Sequence, residues 1–397
     1  MRYSDLKERV GGMSGEAWKI HDLAKARAAA GHDVIILSVG EDRTAVTHPA
    51  LVDVAKHSLD AGKHHYAPTI GSEDLRAAIA KRHFRTTGQT VTPDSCCLFS
   101  GAQNALFSVS LALLNPGDEI IVPEPFYATY PGVARAGGAN MVTVRTDPEA
   151  DFVLDPDRLS AAVTDRTRVI LINSPNNPTG ACYPRDVMEA VADICKKHDL
   201  WLISDEVYSD FVYDADHVAP GALPGMAERT VTIGSLSKSY RMSGWRIGWA
   251  VSNPELNGIL DDLICCMLYG GPSFVQDAAL SALAEPPLPG VEEDKRDMLE
   301  AYHRKRDMVM GMLGDTPGLI LRRPSAGMFV MVDIRPTGLS DFEFAFKLLE
   351  EEDVSVMTGS AFGPSAVGHL RLGLVAHEDM LAEACRRIDR LARKLMA

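Results

Sequence analysis

Lys238 is the residue from which chemistry can be argued first. It lies in VTIGSLSKSYRMSGWRIGWA (231–250), in a polar Ser- and Gly-rich connection between two apolar runs that predict buried strands. Lysine usually sits on a solvated face, so an exposed loop lysine is the plain reading. The alternative is an amine held where its proton affinity falls, able to attack a carbonyl and form a Schiff base. Ser235, Ser237 and Arg246 would then suit a phosphate, because hydroxyls and a forked guanidinium match its oxygens.

Other polar residues follow apolar runs in the same way. Gly101, Ala102 and Gln103 come after CLFS and open a predicted helix, where backbone N–H groups and the helix dipole favour an anion. An ordinary strand-to-helix turn is the competing reading. Neither G-x-G-x-x-G nor G-x-x-x-x-G-K occurs, so a dinucleotide or P-loop site has no direct support. Tyr127 in EPFYATY either packs in a core or lies flat against a planar ring. Asn177, after VILINSPN, shapes a turn or hydrogen-bonds a ligand oxygen.

Asp205 and Tyr208 close the run LWLISDEVY. A carboxylate at the end of a buried strand needs a partner. A protonated pyridine nitrogen is one such partner, and the pairing makes the ring an electron sink. A helix cap or surface acid is the bland alternative. Arg371 interrupts the apolar strand GHLRLGLV. A buried guanidinium needs an anion, supplied by an internal salt bridge or by a ligand carboxylate bound bidentately.

Positioning these residues takes an α/β framework. The runs CLFS, EIIVP, NMVTV, VILIN, LWLIS, TVTIG and GWAVS alternate with helical stretches near 103–114, 127–137 and 184–198. That alternation predicts a mostly parallel sheet, with ligands beyond the carboxyl ends of its strands. Upstream, a helix over 15–30 stops at Gly31, a strand covers Val34 to Val39, and helices follow over 49–62 and from about Ser72. The stretch EPPLPG (285–290) breaks the pattern and predicts a domain boundary. After it come a helix over 292–314, strands near 318–322 and 327–333, a helix over 340–351, strands near 354–358 and 368–374, and a last helix from about 378. The expected organisation is a large domain over 45–288 and a smaller α+β domain made of 1–44 and 289–397.

Composition narrows the classes. The 397 residues carry a net charge of −14, which argues against a general binder of nucleic acid or anionic membrane. Seven cysteines, an odd number with no C-x-x-C, read as reduced thiols of a cytoplasmic protein. No cluster of Cys and His has metal-ligand spacing. The N-terminus lacks the apolar core of a signal peptide, and no run of about 18 apolar residues predicts a membrane span.

The segment S-x-S-K with an arginine eight residues on, ending Gly-Trp-Arg-x-Gly, resembles the lysine segment of the class I/II aminotransferases. The other segments resemble that family in order and rough spacing over nearly the whole chain. The resemblance implies the fold type I architecture of pyridoxal-phosphate-dependent transferases and pyridoxal 5′-phosphate as cofactor. It makes Lys238 the Schiff-base lysine, Asp205 the partner of the ring nitrogen, Tyr127 the stacking aromatic, and Asn177 with Tyr208 the holders of the phenolic oxygen. Gly101, Ala102 and Gln103 form the phosphate loop, with Ser235, Ser237 and Arg246. Tyr66 reaches the phosphate in the partner subunit's site, and Tyr269 and Gly270 come from the partner too, so a homodimer with shared sites is implied. Gly40, Asn177 and Arg371 take the substrate α-carboxylate.

Within the family the chain is most similar to bacterial arginine–pyruvate transaminases, through MRYSD, CMLYGGPSFVQDAAL, GMFVMVDIRPTGLS and FGPSAVGHLRLGLV. The resemblance implies an enzyme that moves an α-amino group from an amino acid, arginine among the candidates, to a 2-oxo acid such as pyruvate. An aspartate or broad-specificity aminotransferase and a carbon–sulfur β-lyase are the alternatives on the same scaffold. A pyridoxal-phosphate-binding regulator would need a DNA-binding module, for which the residues before Gly40 are too few. Gln103 stands where some aspartate-specific relatives place a lysine. Glu41 and Asp42 in the adjoining turn could attract a cationic donor, although Arg43 beside them blurs the local charge.

Overall fold

A short strand β1 (Ile35–Ile36) precedes the seven strands of the main sheet: β2 (Cys96–Phe99), β3 (Glu119–Glu124), β4 (Asn140–Arg145), β5 (Thr167–Asn173), β6 (Trp201–Asp205), β7 (Thr230–Ser235) and β8 (Gly248–Val251). Their order across the sheet is β2-β8-β7-β6-β5-β3-β4. β8 runs antiparallel to both neighbours, and the other pairs are parallel. The chain therefore adopts the predicted α/β class, with a mixed, mostly parallel sheet. The computed structural model describes residues 3–10, 18–42 and 45–397.

The central strands read as continuous apolar runs because both of their faces are covered. Ile121, Ile170, Ile172 and Leu202 meet Val187, Met188, Val191 and Cys195 of the helix Arg185–His198 on one face. Leu171, Ile203 and Ile233 meet Ala105, Leu106 and Val109 of the helix Ala102–Leu113 on the other. The pleat sends alternate residues to the two faces. In parallel register, Asn173 pairs with Asp205 and Asp205 with Ile233. Polar ends of three adjacent strands, β5, β6 and β7, are thus brought side by side at one edge.

A second sheet holds β9 (Ile320–Leu321), β10 (Phe329–Asp333), β12 (Met357–Thr358) and β13 (His369–Gly373), antiparallel in the order β12-β13-β10-β9. β11 (Val354–Ser355) pairs instead with β1, in parallel. The helices Val291–Leu313, Asp341–Glu352 and Glu378–Met396 pack on these strands through one apolar cluster that includes Phe329, Phe344, Leu348, Leu381 and Ile388. Arg371 sits in the middle of β13, opposite Met331 and Met357.

Some predicted elements change length. The strand expected over 354–358 is divided between two sheets, because Val354 and Ser355 follow β1 while Met357 and Thr358 follow β13. The strand expected from Val34 to Val39 is shorter, with β1 limited to Ile35–Ile36 and Leu37 N–H donating to Ser355 O just past its end. The helix expected from 127 begins at Tyr130, because Phe126 N–H donates to Phe362 O and holds the preceding residues as a loop. The first long helix spans Lys19–Ala29; residues 15–17, and Arg43, lie outside the described residues. Among the described residues no helix is long and apolar enough to cross a membrane.

Candidate active site

A cavity of about 340 Å³ opens at the carboxyl ends of β5, β6 and β7. Of the sequence-predicted site residues it is lined by Gly40, Ala102, Gln103, Tyr127, Asn177, Asp205, Tyr208, Ser235, Ser237, Lys238, Arg246 and Arg371. Gly101 and Tyr66 stand outside that lining.

Lys238 is sunk in this cavity. Its Nζ donates to Gly40 O at 2.5 Å. Burial brings its amine down to about 8, helped by the positive charge of Arg371 and Arg246 and opposed by Glu41 and Asp205. The exposed-loop alternative for this lysine is therefore excluded. Gly40 packs closely on the Phe329 ring: a Cβ there would stand 2.7 Å from it and force the ring to shift.

Ser235 and Ser237 face each other, with Oγ of Ser235 donating to Oγ of Ser237 at 2.8 Å. Next to them the helix Ala102–Leu113 begins. Gly101 precedes it with φ +85°, and an added Cβ would lie 2.3 Å from Nη2 of Arg246. Gly101 thus lets the Arg246 guanidinium come close to the helix start. Arg246 donates to the carbonyls of Ser243 (2.7 Å) and Ser100 (3.2 Å) and has no carboxylate partner among the described residues. Hydroxyls, a guanidinium and a helix N-terminus converge there, and each favours an anion.

Asp205 occupies the floor, only 3% exposed. Burial pushes its carboxyl up to about 6, while hydrogen bonds from Tyr130 and the Val207 N–H pull the other way. Tyr130 Oη donates to Oδ2 at 2.7 Å, and Val207 N to Oδ1 at 3.3 Å. Asn173 Nδ2 holds the Asp205 carbonyl at 2.9 Å. Tyr130 is a functional candidate that sequence reasoning missed. Its only signal was a second tyrosine three residues after Tyr127, and the two rings do meet edge to face at 5.8 Å.

Arg371 reaches the cavity from the second sheet. It is 3% exposed, and its guanidinium lies over Phe329 at 4.1 Å and Phe362 at 4.9 Å. Nη1 donates to Asn177 Oδ1 (3.0 Å), Nη2 donates to Ser38 O (2.8 Å), and Nε has no partner. Burial lowers its pKa to about 10. No carboxylate pairs with it among the described residues, so the internal salt bridge weighed from the sequence is absent. Asn177 also donates to Tyr208 Oη at 3.4 Å. A buried cation with only neutral partners is stabilised when a ligand brings an anion.

The remaining lining includes Trp18, Val39, Glu41, Leu106, Ala128, Met357 and Phe362. Trp18, which the sequence reading did not single out, starts the helix Lys19–Ala29 and meets His21 edge to face. The acids of the adjoining turn separate. Asp42 pairs with Arg241 at 3.2 Å, whereas Glu41 lines the cavity and accepts from Ser243 Oγ at 2.6 Å. Gln103 accepts from Thr129 Oγ1 at 2.8 Å. Tyr66 is 83% exposed and lies edge to face with Tyr269 at 5.1 Å, beside Gly270 in a separate surface groove.

Residues 32–388 match the family described as aminotransferase class I and II. An arginine–pyruvate transaminase of Pseudomonas aeruginosa is 51% identical over 396 residues, covering 100% of this chain and 99% of that protein. An aspartate/prephenate aminotransferase of Thermus thermophilus is 36% identical over 366 residues, 91% of each chain. Among solved structures, Thermus thermophilus aspartate aminotransferase with maleate superposes with a TM-score of 0.91 at 34% identity, covering 98% of this chain and 100% of that one. Alanine aminotransferase from Pyrococcus furiosus superposes with a TM-score of 0.92 at 28% identity, covering 99% and 100%.

Proposed function

The chain belongs to the class I and II aminotransferases and is a transaminase; we propose that it works through pyridoxal 5′-phosphate and moves the α-amino group of arginine to pyruvate. The cavity fits that cofactor. Ser235, Ser237, Arg246 and the helix start at Ala102 suit its phosphate, and Asp205 suits the ring nitrogen. Asn177 and Tyr208 suit the phenolic oxygen, Tyr127 the ring face, and Lys238 the aldehyde. Bound there, the cofactor supplies an aldehyde that takes up the donor's amine and a protonated ring that draws electrons from the donor's α-carbon.

The chain's own residues do the rest. On this reading Lys238 would act as general base toward the proton on the donor α-carbon and then as general acid. An amine brought down to about 8 exchanges protons readily near neutral pH. Asp205, ionised above about pH 6, holds a proton on the ring nitrogen. Arg371 takes the α-carboxylate common to all donors and acceptors, with Asn177 and the Gly40 backbone beside it. The observation that carries this reading is Arg371: a buried guanidinium with no carboxylate among the described residues, in the same cavity as the Lys238 amine.

Arginine as donor is supported by the name of the Pseudomonas aeruginosa relative, by Gln103 in place of a cation, and by Glu41 in the lining. The test is a single-turnover screen in which each amino acid is added alone and the absorbance of the Lys238-linked cofactor is followed. Arginine should react faster than aspartate. Aspartate ahead by about tenfold, roughly 1.4 kcal/mol of barrier, would overturn the donor assignment. Ammonia and pyruvate released from a sulfur amino acid without an acceptor would point to a β-lyase instead.

The same reading takes residues 45–288 as the cofactor domain, 1–44 with 289–397 as the smaller domain, and the cytoplasm as the compartment. It also makes the active species a homodimer in which Tyr66, Tyr269 and Gly270 complete the partner's site. Mixing an inactive Tyr66 variant with an inactive Lys238 variant should restore about a quarter of the activity, the share expected if exchanged subunits pair at random. No recovery despite proven exchange rules the shared site out.

A further inference from the structure

Behind the loop that carries Lys238, one part-buried carboxylate gathers four segments of the chain. Asp210 lies two residues past Tyr208. Its Oδ2 accepts from Ser239 Oγ at 2.5 Å and from Arg82 Nη2 at 2.7 Å, and its Oδ1 accepts from Lys295 Nζ at 3.1 Å. Ser239 follows Lys238 directly. Arg82 belongs to the helix Glu73–Thr87 and Lys295 to the helix Val291–Leu313. Lys295 Nζ also lies 5.4 Å from the centre of the Tyr240 ring, next in sequence to Ser239. A small cavity of about 30 Å³ separates this cluster from Ser235 on the floor of the site, room for a water and little more.

We propose that Asp210 is a positioning residue: it sets the loop of Lys238 against the loop of Asp205 and Tyr208 by holding Ser239 while anchored on Arg82 and Lys295. Stability is a poor reason for such a cluster, because burying three charges gains little over apolar packing of the same volume. Its geometric effect is specific. Asp205 and Lys238 come from different strands and must address opposite ends of one small ring, and Asp210 is the group that ties both loops. Burial works against the charge on Asp210, yet Arg82, Lys295 and Ser239 hold its carboxyl well below the ordinary range, so the clamp is ionised throughout the working pH. A charged acceptor also makes the Ser239 hydrogen bond stronger and more directional than a neutral one.

The inference rests on the reading that Lys238 carries the cofactor, and the test separates the two. Apo protein is mixed with pyridoxal 5′-phosphate. Covalent attachment to Lys238 is timed by borohydride trapping and peptide mapping, and the pH midpoint of the bound-cofactor absorbance and Tm are recorded. Ser239→Ala removes only the link to Asp210. It should slow attachment by about tenfold, part of the ~100-fold that a misplacement of roughly 1 Å costs, and shift the pH midpoint. Ser239→Thr, which keeps the hydroxyl, should restore both, and Asp210→Asn should reproduce the defect. Asp214→Asn, which disturbs the half-exposed carboxylate partner of Arg306 and makes no bond to Ser239, should lower Tm without touching attachment. Ser239→Ala with unchanged attachment and midpoint overturns the proposal. So does an Asp210→Asn protein that differs from Asp214→Asn in neither readout. If the unsubstituted protein does not fix the cofactor on Lys238, the functional reading fails first and this inference falls with it.

Discussion

Arg306 and Arg371 are comparably buried, at 0% and 3% exposure, and each leaves one nitrogen without a partner among the described residues. Both lie over aromatic rings, Arg306 over Tyr213 at 4.9 Å and Arg371 over Phe329 at 4.1 Å. Their polar partners differ in kind. Arg306 meets two carboxylates, Asp214 at 2.5 Å and Asp307 at 2.8 Å. Among the described residues Arg371 meets only an amide oxygen and a backbone carbonyl. The first charge is neutralised by the fold, whereas the second is oriented by the fold among neutral partners and, on the proposed function, is neutralised by a substrate carboxylate. The same contrast holds for Arg82 and Lys295, paired with Asp210 in the scaffold, against Lys238 and Arg371, which line the cavity.

The contrast is sharpest at Lys238. Lys238→Ala should lower turnover by about 10⁴-fold or more, since on the proposed function one amine is both anchor and proton carrier. Tm of the apo protein should hold or rise, because an amine whose charge is opposed by burial is removed. Steady-state kinetics and a thermal melt check this, and a variant that keeps wild-type turnover would remove Lys238 from the chemistry.

Exchanging the roles of the two arginines tests the comparison directly. Arg371→Leu should weaken every donor and acceptor alike by roughly 2–5 kcal/mol in kcat/KM, with stability kept. Arg306→Leu should leave kcat/KM near wild type and cost stability, between the ~1 kcal/mol of an exposed pair and the ~3–5 of a buried one, as its carboxylates are half-exposed. If Arg371→Leu unfolds the protein and binds donors normally once folded, the two arginines do not belong to different groups.

Asp205 offers a finer test. Tyr130→Phe removes a hydrogen bond to its ionised form, worth about 1.5–3 kcal/mol. The variant should bind pyridoxal 5′-phosphate more weakly while keeping its fold, and an unchanged dissociation constant would show Tyr130 to be mere packing. The smallest expected effect is on the pH dependence of apo stability. The folded-state value for Asp205, about 6, lies above its ordinary 3.8. Its contribution is therefore full below pH 3.8 and is lost as pH rises through about 6, with a slope of at most about one proton. Asp205→Asn should flatten that limb in denaturant titrations across the range, and an unaltered slope would mean the carboxylate is less desolvated than its burial indicates.

Much of the site was legible because its residues are out of place by type. A lysine after a buried strand, an acid at the end of LWLIS and an arginine inside an apolar strand each break the pattern their segment sets, and such breaks mark function. The fold class followed from alternation alone, since strand and helix periods are local properties of the chain. Boundaries were less legible. The stretch 354–358 looks like one strand, and its division between β1 and β13 depends on partners more than 300 and about 13 residues away in sequence.

The sequence by itself determined which chemistry-bearing residues exist and that they stand at the ends of buried strands, because residue type and hydrophobic period are carried locally. Tertiary structure decided which of the charges are answered. Asp42 is taken by Arg241 and Asp210 by Ser239, Arg82 and Lys295, while Tyr130 supports Asp205 and Arg371 is left with neutral partners. A charge in sequence has no partner until distant segments fold against it, and in a buried, weakly polarisable interior that partner sets whether the charge holds the scaffold or waits for a substrate.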